Sequence, residues 1–213
     1  MKKMQIIAWT AFVLGLVFKL FHWPGAAYLS LLGTLLLLIH SIIYLCKNAK
    51  TNLPMSFLHL SCSFLTIYVF FRLMFWPLGS ILFIIAFLVS IVCFVLLFKN
   101  KSKFKFPQIF FIVYFVFFIA LSYTNSHRIY YFFHLNEMLN SETNKTNYYA
   151  WDNYSWFLYI ANKHDEALEA NHKAQMAVEE YQKRPHTKKD FFYWELIKQH
   201  EQQIRDRNWT TYD

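Results

Sequence analysis

Five long apolar stretches constrain the fold of this chain more than any other feature. They cover roughly residues 5–22, 26–45, 55–75, 79–98 and 107–123. Each has about the 17–25 residues that a helix needs to cross a hydrocarbon core of about 30 Å. Because no water is present there to bond a bare backbone, a helix is the default structure. The sequence therefore predicts an all-α, polytopic membrane protein with about five transmembrane helices.

Four prolines agree with these limits. Pro24, Pro54, Pro77 and Pro107 each lie at the start of an apolar stretch, and none lies in the middle of one. Proline is tolerated in the first turn of a helix, where its missing N–H has no partner to lose. Hydrophobic residues make up 56% of the 213 residues, which is too many for an ordinary soluble domain.

The charged residues divide the chain into two parts. Residues 1–135 contain nine Lys, two Arg and no Asp or Glu, whereas residues 136–213 contain seven Lys, three Arg and thirteen acids. The net charge is therefore +11 in the first part and −3 in the second, and +8 overall. The basic charge belongs to loops that flank the membrane, and no basic stripe indicates nucleic-acid binding.

Eight lysines lie on one side of the predicted membrane segments. They are Lys2, Lys3, Lys47, Lys50, Lys99, Lys101, Lys103 and Lys105. The connections on the other side, at residues 23–24 and 76–77, are short and carry none. The positive-inside rule predicts a cytoplasmic N-terminus. After five crossings the C-terminal domain would be periplasmic, whereas it would be cytoplasmic if segment five lies at the interface. We expect a multi-pass protein of the bacterial inner membrane with a periplasmic C-terminal domain.

A short string in the first pair of helices recurs in the second pair. Residues 18–24 (FKLFHWP) match residues 71–77 (FRLMFWP) at an offset of 53. The match predicts two tandem hairpin repeats with the same orientation and a pseudo-symmetry axis along the membrane normal. The predicted domains are 1–50 and 51–100 for the repeats, 101–135 for the fifth helix with an aromatic interfacial segment, and 136–213 for a soluble helical domain.

The two repeat corners form the predicted membrane-interface motif. Its residues are Lys19, His22, Trp23, Pro24, Gly25, Arg72, Trp76 and Pro77. Lys19 and Arg72 could bind an anionic partner, since intramembrane cations are costly and often functional, or could snorkel to lipid phosphates. His22 is expected to make an interfacial hydrogen bond, with a proton switch as the alternative. Trp23 and Trp76 are expected to be interface anchors.

The first copy of this motif also resembles a known family. Residues 18–26, F-K-L-F-H-W-P-G-A, with Gly33-Thr34 in the next helix, resemble the N-terminal hairpin of the GldL family, the inner-membrane motor subunit of gliding motility and type IX secretion. The resemblance implies a shared hairpin fold and a similar cellular setting. That family is described with a functional glutamate in its second helix, and no acid precedes Glu137 here. A shared proton-driven mechanism is therefore not implied.

The C-terminal part has helical periodicity and contains no glycine. Residues 150–181 resemble a single degenerate tetratricopeptide (TPR) repeat, with Trp151 at the tryptophan position and Asn162 at the glycine position between the helices. Asn tolerates the left-handed turn that this position needs. A third helix over residues 188–208 is expected to cap the pair. A generic helical hairpin is the alternative.

Four aromatic residues of this part are candidates for partner binding. They are Trp151, Tyr154, Trp156 and Tyr159. We expect them to be divided between the core of the domain and a groove of the kind that repeat helices present to peptides.

Catalytic motifs are not found in the sequence. There is no intramembrane aspartyl pair, no H-E-x-x-H motif and no Gly-rich phosphate loop. His40 and His59 could hold a haem or a metal with Cys93 nearby, but no i, i+4 His pair fixes their geometry, so buried, hydrogen-bonded histidines are expected. Six serines are expected at helix contacts. They are Ser30, Ser41, Ser61, Ser63, Ser80 and Ser90.

These patterns predict a protein that is not an enzyme and that has neither a cofactor nor a metal. The expected function is a non-catalytic scaffold subunit of a multiprotein inner-membrane complex. Its partners would be the lipid bilayer and other membrane or periplasmic subunits, with oligomerisation left open. A transport or ion-coupling subunit is the alternative, because each repeat carries one intramembrane cation.

Overall fold

The computed structural model describes residues 2–21, 23–99, 105–136, 144–183 and 191–211. Within these ranges the chain forms nine α-helices and no strand. The helices belong to two compact units, Met1–Thr124 and Asn125–Asp213. Residues 126–134, which the sequence placed with the fifth helix, thus belong to the second unit.

The first unit contains five helices. They are α1 (Lys2–Leu20), α2 (Ala26–Asn48), α3 (Leu53–Leu73), α4 (Gly79–Lys99) and α5 (Lys105–Tyr123). Each has a segment of 18 residues or more that is long and apolar enough to cross a membrane. The prediction of five membrane-spanning segments is confirmed, and the chain is a multi-pass membrane protein.

Helix α3 is the centre of this bundle. It packs against α2, α4 and α5, while α1 packs on α2. More than half of α3 is buried, compared with a third or less of each other helix. Large apolar side chains of α4 such as Ile84, Leu88 and Val95 are exposed. Such surfaces are compatible with contact to lipid, since exposed apolar patches of this extent are rare in water.

Hydroxyl groups connect α3 to each of its three neighbours. The pairs are Ser63 with Ser41 of α2 at 3.0 Å, Ser61 with Ser90 of α4 at 2.8 Å, and Thr66 with Tyr114 of α5 at 2.8 Å between oxygens. Small polar residues of this kind allow close helix approach and bond across it. Five of the six predicted contact serines are buried; Ser80 is exposed, so that prediction is wrong for Ser80.

Helices α1 and α2 approach each other closely at Gly33. A Cβ atom on this residue would lie 2.5 Å from the backbone nitrogen of Phe12 and 2.7 Å from the carbonyl oxygen of Ala8. Only glycine fits this contact, as at other membrane helix interfaces with small residues.

The described residues of the second unit form four helices. They are α6 (Ser126–His134), α7 (Tyr148–Tyr159), α8 (His164–Gln182) and α9 (Phe191–Asp206). Each packs on the next. The third helix expected after the hairpin is present as α9, and its expected start at 188–190 lies outside the described residues.

The turn between α7 and α8 has the conformation that the sequence indicates. Asn162 has a left-handed backbone with a φ of 59°, which Asn adopts more readily than most residues. Ala167, Ala170 and Ala174 are buried on α8, and their small side chains let α7 approach. This establishes a helical hairpin, while its assignment as a TPR repeat stays a prediction.

Candidate functional site

The two repeat corners have the same backbone hydrogen bonds. The Trp23 amide donates to the Phe18 carbonyl at 2.8 Å, and the Trp76 amide donates to the Phe71 carbonyl at 3.0 Å. Each indole also packs edge-on against that same phenylalanine, with ring centroids 5.0 and 5.4 Å apart. The Trp-Pro corner is therefore one local structure that occurs twice, 53 residues apart.

The corner residues are largely exposed. Trp23 and Trp76 have 53% and 43% of their surface accessible, which suits indoles that lie among lipid headgroups. Pro24 and Pro77 are exposed in the same turns. The predicted hydrogen bond of His22 lies outside the described residues.

The two intramembrane cations reach other elements of their own unit. Lys19 Nζ donates to Met74 Sδ at 3.7 Å, which links the end of α1 to the end of α3. Arg72 Nη2 donates to the carbonyl oxygen of Thr124 at 2.7 Å. Thr124 follows the last turn of α5, where the helix dipole favours a cation. Equivalent positions of the repeat thus make different contacts, each across the bundle.

Two of the predicted partner-binding aromatics contribute to the packing of the second unit. The Trp156 ring lies 4.9 Å from the Trp209 ring. The Tyr159 hydroxyl accepts a hydrogen bond from the Trp209 amide at 3.1 Å. These contacts attach the segment after α9 to α7, so neither side chain is wholly available to a partner.

The other two aromatics lie closer to α6 and α8. The Tyr154 ring contacts Tyr131 of α6 at 5.4 Å. Trp151 is buried, and its indole N–H donates to the carbonyl oxygen of Asn144 at 3.1 Å. Trp151 also lines a surface cavity of about 490 Å³. Lys173 lies over its ring with Nζ 5.1 Å from the centroid, a cation–π contact.

A buried polar network joins α7, α8 and α9. His200 Nδ1 lies 2.9 Å from Asp152 Oδ2, and both side chains are almost fully buried. The Asn171 amide donates to Asp152 Oδ1 at 3.3 Å and to the Ile197 carbonyl at 3.0 Å. The His200 ring also stacks on Trp209 at 4.4 Å. The pair has almost no access from outside, so we interpret it as part of the packing between these three helices; no local sequence pattern marks it.

A cavity lies within the membrane unit. It has a volume of about 670 Å³ and is lined by α1, α2, α3 and α5. His40 of α2 and His59 of α3 line it with ring centroids 5.0 Å apart, and the Tyr44 ring lies 4.4 Å from His59. His40 is only 2% exposed. Cys93, considered with these histidines in the sequence, is not in the lining.

Hairpin geometry explains how these histidines meet. His40 and His59 are nearly symmetric about the connection of residues 49–52 between α2 and α3, so they lie at the same depth. Within the described residues, the rings contact each other and Tyr44, and neither makes the expected hydrogen bond. In that part of the chain no group of three or more His, Cys, Asp or Glu could hold a metal ion.

The membrane unit contains no carboxylate, since the first acid of the sequence is Glu137. Its cations and imidazoles can therefore bond only to neutral groups of that unit. Comparison with known proteins found no matching family model, curated protein or solved structure. The resemblance to the GldL family accordingly stays a prediction.

Proposed function

We propose that this protein is a non-catalytic scaffold subunit of a multiprotein complex in the bacterial inner membrane. The observation that supports this most is the use of the two intramembrane cations. Lys19 and Arg72 contact Met74 and Thr124 of their own unit. An ion-conducting protein would place ionisable groups along a path. These contacts instead connect the C-terminal end of α3 to the C-terminal ends of α1 and α5.

The hydroxyl pairs of α3 support the same proposal. Three helices are bonded to α3 through side chains. Interhelical hydrogen bonds in membranes each contribute modestly, about 0.6 kcal/mol on average, but three on one helix fix its rotation. A bundle with a fixed centre suits a protein that holds other subunits in place.

The orientation follows from the lysines. Helix order places Lys3, Lys47, Lys99 and Lys105 at one end of an alternating five-helix bundle, because each lies at the start of an odd helix or the end of an even one. The positive-inside rule supports a cytoplasmic location for this end. The second unit, which follows α5, is then periplasmic.

Partner docking would use the second unit. The cavity beside Trp151 is bordered by Lys173, Met176, Glu180 and Lys183, so it combines an aromatic and apolar floor with charged edges. TPR helices commonly present such grooves to helical or extended segments. We assign the hairpin of α7 and α8 to this class and infer that it binds other periplasmic or membrane subunits.

The corner motif supports a relation to the GldL family that is limited to the hairpin. The shared string contains the Trp-Pro corner, which recurs here as a defined local structure. The absence of any carboxylate before Glu137 argues against the proton-driven motor of that family.

Photo-crosslinking in cells tests the docking proposal. A photoreactive amino acid at Met176, which is 57% exposed beside Trp151, is expected to capture a partner. The same amino acid at Gln202, exposed on α9, is the matched control. Capture at neither position, together with a monomeric protein that co-purifies with nothing in mild detergent, would refute the proposal.

Cysteine labelling tests the orientation. Cys46 is exposed at the end of α2, on the lysine-rich side. In spheroplasts of the Asn208→Cys variant, a membrane-impermeant maleimide is expected to label residue 208 and to spare Cys46. Labelling of Cys46 alone would place the second unit in the cytoplasm.

A transport or ion-coupling subunit is the second candidate. The cavity that contains His40 and His59 favours it, because polar groups within a membrane often mark a pathway. Proteoliposomes with the wild-type protein and with the Lys19→Glu and Arg72→Glu variants provide the test. Wild-type flux equal to that of empty vesicles would exclude this candidate.

A further inference from the structure

We propose that the cavity of the membrane unit binds an uncharged, membrane-soluble ligand of the quinone class, whose carbonyl oxygens accept hydrogen bonds from His40, His59 and Tyr44. This inference goes beyond the scaffold function and does not depend on it. It concerns binding only.

The size and position of the cavity suit such a ligand. Its volume of about 670 Å³ falls within the range of roughly 300–1,000 Å³ found for small-molecule sites. Phe106 and Phe110 of α5 line it and are nevertheless 79% and 44% exposed. The cavity therefore opens beside α5, on a surface that is apolar enough to face lipid. A ligand dissolved in the bilayer can enter there.

The lining selects a ligand without charge. Among the described residues, those that line it include no Lys, Arg, Asp or Glu. A phosphate or ammonium headgroup would lose its hydration in this cavity and would find no opposite charge to compensate. Charged lipid headgroups are therefore expected to bind weakly in this cavity, and a neutral molecule is expected to bind more tightly.

The polar groups of the lining are concentrated around the histidines. His40 is 2% exposed, and within the described residues neither it nor His59 makes a side-chain hydrogen bond. By contrast, the hydroxyls of Ser63 and Tyr114 are bonded to Ser41 and Thr66. A ligand in the cavity would supply the acceptor or donor that the two imidazoles lack within the described residues. A carbonyl oxygen is such an acceptor.

Aromatic rings of α1 and α5 form another part of the lining. The Trp9 ring of α1 lies 5.8 Å from Tyr114 of α5, which stacks on Phe110 at 6.1 Å. Aromatic groups pack favourably with ring centroids 4.5–7 Å apart, so a flat conjugated ring is well matched to this part of the lining. A plain acyl chain would fill the space and leave the imidazoles unpaired. A quinone ring would pack against the aromatic side chains while its carbonyl oxygens accept hydrogen bonds from the imidazoles. Its tail would extend past Phe106 into the bilayer.

Binding of a decyl-substituted benzoquinone to the purified full-length protein in detergent tests the proposal. Equilibrium dialysis measures the dissociation constant, and decanol, which has the tail without the ring, is the reference ligand. We expect the quinone to bind at least about tenfold more tightly than decanol. Removing one hydrogen bond by His59→Phe or Tyr44→Phe is expected to weaken quinone binding by about two- to tenfold.

A matched substitution on the same helix separates binding from folding. Tyr28→Phe removes the same hydroxyl as Tyr44→Phe, but Tyr28 is 80% exposed and lies outside the cavity, so its affinity is expected to equal the wild-type value. Met55→Trp places a larger side chain in the cavity and is expected to abolish binding. Equal affinity for quinone and decanol, or quinone binding unaffected by His59→Phe, Tyr44→Phe and Met55→Trp, would overturn the proposal.

Discussion

Gly25 and Leu78 occupy the same position of the two repeat corners, and both have a left-handed backbone, with φ of 85° and 72°. In each copy the carbonyl of this residue accepts the first hydrogen bond of the next helix. The donors are the amides of Leu29, at 2.9 Å, and Leu82, at 3.0 Å. Glycine adopts this conformation at no steric cost, whereas leucine is strained by roughly 1–2 kcal/mol. The second corner thus has the same backbone geometry as the first, although leucine disfavours the left-handed conformation that this position requires.

Replacing Leu78 by glycine is therefore expected to stabilise the membrane unit. Leu78 is 60% exposed, so little packing is lost, and relief of the left-handed conformation contributes about 1 kcal/mol. Circular dichroism of the detergent-solubilised protein should show a higher unfolding temperature. Leu78→Ala, which keeps the strain, is the control and should not show this gain. A lower unfolding temperature for Leu78→Gly than for Leu78→Ala would contradict the interpretation.

Arg72→Met is expected to destabilise the membrane unit more than Lys19→Met. The Arg72 guanidinium bonds to a carbonyl oxygen at 2.7 Å, and hydrogen bonds to charged groups contribute about 1.5–3 kcal/mol. Lys19 bonds to the sulfur of Met74 at 3.7 Å, and a thioether is a weak acceptor. Thermal unfolding of the two variants in the same detergent measures the difference. Equal losses would show that the two cations serve the same purpose.

The hydroxyl pair of Ser61 and Ser90 is expected to be weakly coupled. Ser90 also donates to the carbonyl of Ala86 within its own helix, so its hydroxyl keeps a partner when Ser61 is changed. A double-mutant cycle with alanine at both positions should give about 0.6 kcal/mol. Ser61→Leu should cost several times more, because Ser61 is fully buried against α4. A coupling above about 2 kcal/mol would contradict this account.

His200→Ala is expected to destabilise the second unit strongly. It removes the imidazole that lies 2.9 Å from the buried Asp152 carboxylate, and taking a hydrogen-bond partner from a buried polar group costs about 1–3 kcal/mol. Limited proteolysis of the full-length protein, read from fragments of residues 125–213, measures the loss. The control is Glu166→Gln in the exposed pair with Lys163, for which about 0–1 kcal/mol is expected. Similar protease resistance of the two variants would rule out the structural role of the network.

The second unit is expected to lose stability when the pH falls below the ordinary pKa of histidine. Burial lowers the pKa of His127, and the positive charges of Lys163 and Arg128 lower it further against the opposing charge of Glu166. In the unfolded chain His127 is therefore protonated at about pH 6.5 and below, whereas in the folded chain it is protonated only at a lower pH. The contribution of neutral His127 to the free energy of unfolding is fully present above that pH. It decreases as the pH falls from there towards the lowered pKa of the folded chain.

His127→Phe provides the measurement for this pH dependence. The Nδ1 atom of His127 is buried without a hydrogen-bond partner in the described part of the chain, so an apolar ring of similar shape should be tolerated. The unfolding temperature of the variant should change less than that of the wild type between about pH 7.5 and pH 5.5. Glu201 does not confound this range, because Arg205 and Gln175 lower the pKa of its carboxyl, and its contribution is lost only below about pH 4.3. Identical pH profiles would contradict the assignment to His127.

Patterns along the chain were sufficient for features that depend on short sequence distances. The five spanning helices follow from apolar length, and the left-handed Asn162 from one turn position. The duplicated corner follows from a seven-residue match, and its hydrogen bonds are likewise local. Serines were placed at helix contacts by type alone, which is wrong for Ser80 because its side chain lies on an exposed face of α4.

Features that join distant residues needed the structure. The contact of Asp152 with His200 spans 48 residues, and no local pattern marks it. Tyr130 reads as part of an aromatic interfacial belt, yet it is buried against Phe157 of α7. Trp156 and Tyr159 belong to a set expected to be divided between the core and a groove, and only the structure shows that both contact Trp209.

The sequence by itself determined which helices are long and apolar enough to cross a membrane, where they end and that the first pair recurs as the second pair, because apolar length, proline position and turn residues act within a few residues. Only the tertiary structure decided which faces of those helices meet. His40 and His59 show the difference: the hairpin puts them at one depth, but the rotation of α2 and α3 about their axes, set by packing along both helices, brings their rings to 5.0 Å.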